Sequence, residues 1–178
     1  MLISTNTGLY SARLDKPRYS LHEAVRFFAK SGFEALDVNF AATIYTAENC
    51  RDTILDGDWE SKLDAVLKAA TENGIAILSS HTPFISGNAP HNARVGLDEA
   101  SFEKMALRAI RATAFLGARY AVMHPRREAS GEADIAFIIE DLKPYVEAAA
   151  AAGIPLAVEN MAWTDENQLI EIADRLGC

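Results

Sequence analysis

Apolar residues along the chain alternate between two periods: stretches with hydrophobic positions three and four apart, and short apolar runs that, after the first, each follow a glycine. The first helical stretch carries Leu21, Ala24, Val25, Phe28 and Ala29. It opens on Ser20-Leu21-His22-Glu23, whose Ser and Glu fit a capping box, and stops at Gly32. The second places Leu63, Val66, Leu67 and Ala70 on one face between a predicted N-cap at Asp58 and a stop at Gly74. Phe102, Met105, Ala106, Ala109, Ile110 and Thr113 define the third, which ends at Gly117. The fourth begins near Ala133, meets Pro144, which should kink or divide it, and stops at Gly153. The last follows Thr164, sets Asp165 and Glu166 near its positive N-terminal end, and stops at Gly177.

The intervening runs, residues 2–6, 75–81, 120–124 and 154–159, together with the run between Gly32 and Asn39, read as strands. Strands that alternate with helices imply a parallel sheet, because a parallel crossover needs a helix-length connection. The unit is a strand and a helix repeated five times, with no linker or low-complexity tract to mark a second domain. The first run lacks a Gly-x-Gly-x-x-Gly turn and no Walker-type loop occurs, so a βα barrel gains over the doubly wound folds. Such a barrel needs eight units and about 250 residues. The predicted fold is therefore an α/β TIM-barrel type with about the first five of eight units, residues 1–178 forming the N-terminal portion of one barrel domain. A complete five-stranded open sheet is the competing reading.

Composition narrows the class of protein. Cys50 and Cys178 are too few and too distant for a disulfide framework, which suits a reducing cytosol. No leader-like start occurs, and no apolar run approaches the roughly 20 residues of a membrane helix. A cytoplasmic protein is expected. The net charge of −8 disfavours a broad nucleic-acid footprint, which needs clustered Lys and Arg. Small basic groups at Arg13, Lys16 and Arg18 and at Arg126 and Arg127 are either solvated surface charges or local anchors for one phosphate.

The chemistry sits where the strand-like runs end. His81, His124 and Glu159 close the third, fourth and fifth runs, and in a βα barrel the active site lies at those C-terminal tips. Two imidazoles and a carboxylate are good ligands for zinc, manganese, cobalt or iron. Pro125 keeps His124 extended. Asn6, Asp37, Asn39, Asn160 and Trp163 also fall at or beyond strand ends, where Asn and Asp are equally ordinary turn and capping residues. His22 reads as a surface residue near a helix start, and His91 as part of a loop on the active face.

Ser80-His81, Met123-His124-Pro125 and Val158-Glu159-Asn160, in that order on successive strands, resemble the xylose isomerase-like βα-barrel superfamily of sugar phosphate isomerases, epimerases and endonuclease IV-type nucleases. The resemblance implies that Glu159 is a metal ligand and proton-transfer base, and that His81 and His124 bind the metal or contact substrate. It implies further ligands from three more strands, without which the isolated chain is expected to be weakly active or inactive.

The resulting expectation is a metal-dependent isomerase or epimerase of a small sugar or sugar phosphate. Manganese, zinc or cobalt would be the cofactor, Glu159 the catalytic residue, and His81, His124, Asn160 and Arg126 the substrate contacts. An endonuclease IV-like phosphodiesterase acting at abasic sites and a noncatalytic sugar-binding barrel remain open alternatives.

Overall fold

A computed structural model describes residues 2–10, 21–40, 57–84, 99–126 and 134–177. Arg13, Lys16, Arg18, Ser20, Cys50, His91, Arg127, Ala133 and Cys178 lie outside the described residues. Lying wholly within the described residues, five strands alternate with five helices: β1 (Ser4–Asn6), α1 (Leu21–Lys30), β2 (Ala35–Asn39), α2 (Trp59–Asn73), β3 (Ala76–His81), α3 (Glu99–Phe115), β4 (Tyr120–Met123), α4 (Ile135–Ala151), β5 (Leu156–Val158) and α5 (Glu166–Leu176). All four strand pairings are parallel and the strands run in chain order, β1-β2-β3-β4-β5. This is the arrangement of consecutive βα units in a TIM barrel.

Helix ends follow the local chemistry of the sequence. Gly74 adopts φ 64°, and its N–H reaches the carbonyls of Ala70 and Thr71, which closes α2 immediately before β3. Asp165 caps α5 with a full capping box, its side chain accepting from the Gln168 N–H while Gln168 reaches back to the Asp165 N–H. Two expectations are corrected. Asp58 precedes α2 but makes no side-chain cap, because its backbone at φ −81°, ψ 61° is outside the extended geometry that aims an N-cap oxygen inward. Pro144 does not divide α4, which starts behind the Asp134 cap and runs on to Ala151. The carbonyl that loses its partner belongs to Glu140, an exposed residue, so water can serve it.

Two apolar clusters lie on the helix side of the sheet. Leu36, Val38 and Phe40 pack with Leu21, Val25 and Phe28 of α1 and Leu63 and Val66 of α2; Ala121, Met123 and Leu156 pack with Ile138 and Leu142 of α4 and Ile172 of α5. Helix α3 belongs to both, giving Met105, Ala109 and Ala112 to the first and Phe102, Ala106 and Ile110 to the second. Full burial of each such Leu, Val or Ile contributes about 1.5–3 kcal/mol.

Alternation along each strand then dictates what the opposite face carries. In β2, Leu36 and Val38 enter the core, so Asp37 and Asn39 face the other way. In β3 the parity shifts, because Leu36 pairs with Ile77 but Asp37 pairs with Ser79, leaving Leu78 as an extra residue. Ile77 packs against the first core cluster and Ser80 bonds Thr113 of α3, while Ser79 and His81 both reach Asp37 on the opposite face. With strict alternation, an inward Ile77 would carry His81 to the helix side as well. Deleting Leu78 is therefore expected to restore regular alternation in the shortened strand with Ile77 still in the core and His81 still on Asp37, read as retention of the wild-type His81 proton resonances in NMR spectra; their loss would contradict Leu78 as the extra residue. Leu78→Ala, which keeps the residue count, should leave them in place.

Candidate metal centre

The strand ends bring the three predicted ligands together. The ligating atoms of His81, His124 and Glu159 lie within 4.8 Å of one another, and all three residues are partly buried. Glu159 Oε2 is the common point, 3.2 Å from His81 Nε2 and 2.5 Å from His124 Nε2. Glu159 is placed by continuation of the parallel ladder beyond β5, its N–H donating to the Met123 carbonyl at 3.0 Å. His81 ends β3 opposite Val122, and His124 follows β4 directly, ahead of the buried Pro125.

The two imidazoles are held differently. His81 Nδ1 lies 2.7 Å from Asp37 Oδ1, the arrangement in which a ligating histidine donates its far N–H to a carboxylate. His124 has no such partner. Its ring stacks on Phe84 with centroids 4.0 Å apart and 26° between planes, and both its nitrogens are buried without a hydrogen bond. The approach of His124 Nε2 to Glu159 is close enough for an ion pair, yet its direction is wrong for a hydrogen bond.

That geometry bears on whether a cation fits. A buried nitrogen without a partner costs free energy, and a shared divalent ion would supply His124 Nε2, His81 Nε2 and Glu159 Oε2 with one partner together. Two imidazoles and one carboxylate match the ligand preference of zinc, and suit cobalt and iron as well. The residues present fit such an ion.

Charge and burial divide the histidines further. Burial lowers the His124 pKa below its ordinary value; Glu159 opposes this and the neighbouring His81 reinforces it. Neutral imidazole, the ligating form, is thus favoured there. For His81, burial again acts downward, but the hydrogen bond and charge of Asp37, followed by Glu159, outweigh it and raise the pKa.

The other expected contacts are dispersed. Asn160 is exposed just beyond β5. Arg126 turns toward α4, where Nε donates to Asp141 Oδ1 at 2.7 Å and Nη2 also contacts that oxygen. It lines a cleft of about 210 Å³ with Phe102, Pro144 and Tyr145, so any substrate phosphate must compete with Asp141 for it. His22 is in the first turn of α1, and Trp163 lies partly buried in the turn before α5. Asp37, which the sequence offered equally as a turn residue, is instead central to the site. Ser79 and Phe84 were missed altogether. The two-residue spacings Asp37-Asn39 and Ser79-His81 were the available signal, since alternate residues of a strand share a face.

The family model for the xylose isomerase-like TIM barrel matches residues 25–178. The chain belongs to the xylose isomerase-like TIM barrel family. No curated protein matches it in sequence. Among solved structures, this family member is similar to D-psicose 3-epimerase crystallised with D-fructose, at 18% identity and TM-score 0.63 over 99% of this chain and 60% of that one. It is also similar to 3-keto-D-glucoside 4-epimerase from E. coli, at 13% identity and TM-score 0.62 over 99% and 65%. The probable 3-DHS dehydratase from Bacillus anthracis gives 11% identity and TM-score 0.65 over 100% and 60%. The chain thus spans less than two thirds of the length of each of these structures. No helix among the described residues is long and apolar enough to cross a membrane.

Without a cation, the raised pKa of His81 ties stability to pH. The protonated ring bridges Asp37 and Glu159, so its contribution is fully present below the unfolded histidine pKa of about 6.5 and lost as pH rises through the raised folded value. Urea unfolding in chelator is expected to show wild-type stability falling over that range relative to His81→Gln, whose own profile should lack this component.

Proposed function

We propose that His81, His124 and Glu159 form part of the active site of a metal-dependent isomerase or epimerase acting on a small sugar or sugar phosphate. The convergence of two histidine nitrogens and one carboxylate oxygen within 4.8 Å at the C-terminal ends of three consecutive parallel strands carries this reading. Family membership and the epimerases among the similar folds support it.

A divalent cation in this position supplies Lewis-acid polarisation of a carbonyl and its neighbouring hydroxyl, which acidifies the carbon-bound proton between them. The protein's own residues do the rest. Both imidazoles address Oε2 of Glu159, leaving Oε1 unengaged among the described residues on a side chain that is 40% exposed. That oxygen is the candidate base for the carbon-bound proton and the candidate acid for its return. The Phe84 ring fixes the plane of His124, and Asp37 fixes that of His81, so the donor set is oriented before substrate arrives. Asn160, exposed beside Glu159, is assigned to substrate hydroxyls. Arg126 is assigned to the phosphate of a phosphorylated substrate, for which it would have to leave Asp141.

The test is solvent isotope exchange. The full-length protein loaded with Mn²⁺, Co²⁺ or Zn²⁺ is expected to place deuterium from heavy water at the carbon beside the carbonyl of at least one ketose or ketose phosphate. Glu159→Gln should slow that exchange about 10²- to 10⁴-fold. Cation binding without exchange on any member of a broad ketose panel would refute the proposed reaction.

A further inference from the structure

The hydrogen bonds behind the candidate metal centre form a chain whose direction can be deduced end to end. It begins at Asn6, the last residue of β1. The Asn6 Oδ1 atom accepts from the Gly8 N–H at 2.8 Å and from Asn39 Nδ2 at 3.0 Å. Two donors on one end of the amide fix which end is oxygen, so the NH₂ group is the end lying 2.6 Å from Asp37 Oδ1. Ser79 Oγ is 2.5 Å from the other oxygen, Oδ2, and donates to it because a carboxylate only accepts.

Asp37 is thus surrounded by donors, and His81 completes the set. Both ring nitrogens face carboxylate oxygens, Nδ1 at 2.7 Å from Asp37 Oδ1 and Nε2 at 3.2 Å from Glu159 Oε2, and once the ring is neutral the shorter contact, at Nδ1, keeps the hydrogen. A neutral imidazole has one N–H. Its Nε2 is then the bare nitrogen, and it is the atom that faces Glu159 at 3.2 Å.

From this chain we infer that Asp37 is a positioning residue: held by Asn6 and Ser79, it selects the Nδ1–H tautomer of His81 and presents the Nε2 lone pair to the space shared with His124 and Glu159. The consequence for cation binding rests on the metal-site reading above, whereas the tautomer assignment rests on the hydrogen bonds alone. Asp37 contacts neither Glu159 nor His124 in this network and acts through His81. Its side chain is only 17% exposed, an expensive location for a carboxylate that the three donors from β1 and β3 make tolerable. Sequence distance hides the arrangement, because Asn6, Asp37 and Ser79 meet only through the pairing of Asn6 with Asp37 and of Asp37 with Ser79 across adjacent strands.

Nitrogen-15 NMR of histidine-labelled full chain in chelator, at a pH above the raised His81 value, reads the tautomer directly. The expected wild-type spectrum assigns His81 as Nδ1–H, and Asp37→Ala should move it toward the Nε2–H form that free histidine prefers. Glu159→Gln should keep Nδ1–H. In parallel, Co²⁺ titration should show about 10- to 100-fold weaker binding for Asp37→Ala, the usual cost of losing a residue that orients a ligand. An Nε2–H wild-type His81, or a tautomer unchanged in Asp37→Ala, would overturn the assignment; the wild-type spectrum decides even if the variant does not fold. A correct tautomer with no Co²⁺ binding to wild type would overturn the metal-site reading instead, and leave the assignment of Asp37 standing.

Discussion

The alternation of side chains across a parallel sheet is the constraint on which the whole arrangement depends. One face of β2, β4 and β5 is committed to the helices: Leu36 and Val38, Ala121 and Met123, and Leu156 are all buried there. Several such residues, each contributing about 1.5–3 kcal/mol, outweigh any preference of the polar residues between them. Asp37, Asn39, Ser79, His81, His124 and Glu159 are therefore delivered together to the opposite face. The extra residue at Leu78 matters for the same reason, since it lets β3 keep Ile77 in the core while turning His81 away from it.

Charge explains why this face suits a cation. Asp37 and Glu159 bring two carboxylates to a site that holds two imidazoles and no described Lys or Arg contact. Neutral histidines leave a formal charge of −2, which one divalent ion balances. In its absence His81 takes up part of that role by holding a proton more tightly, whereas His124, buried and opposed by His81, releases its proton more readily. On the proposed function, protons and a cation compete for the same carboxylate surroundings, and affinity for the cation is expected to rise with pH.

The sequence disclosed most of the architecture because the signals were strong and local. Leu21, Ala24, Val25 and Phe28 on α1, and all six apolar-face residues assigned to α3, are buried where the helical period put them. Glycines ahead of four strands take positive φ, as their position between helix and strand required. Ends were less legible: β1 and β5 are only three residues long, although ladder hydrogen bonds continue past them at Ile3, Thr7, Pro155 and Glu159. The ligand trio was visible because each member follows an apolar run. Its support was not, because Asp37 and Ser79 acquire meaning only from cross-strand register and from a bulge that no periodicity announced. Phe84 lies beyond β3 and gave no periodic signal for its stacking on His124.

The central claim is that His81, His124 and Glu159 jointly ligate one divalent ion. X-ray absorption at the zinc edge of the stoichiometrically loaded chain tests it most directly. The account predicts nitrogen and oxygen atoms bonded directly to zinc, with the more distant scattering of two imidazole rings per zinc. A shell of oxygen scatterers alone, or imidazole scattering that persists unchanged when both His81 and His124 are replaced, would contradict it.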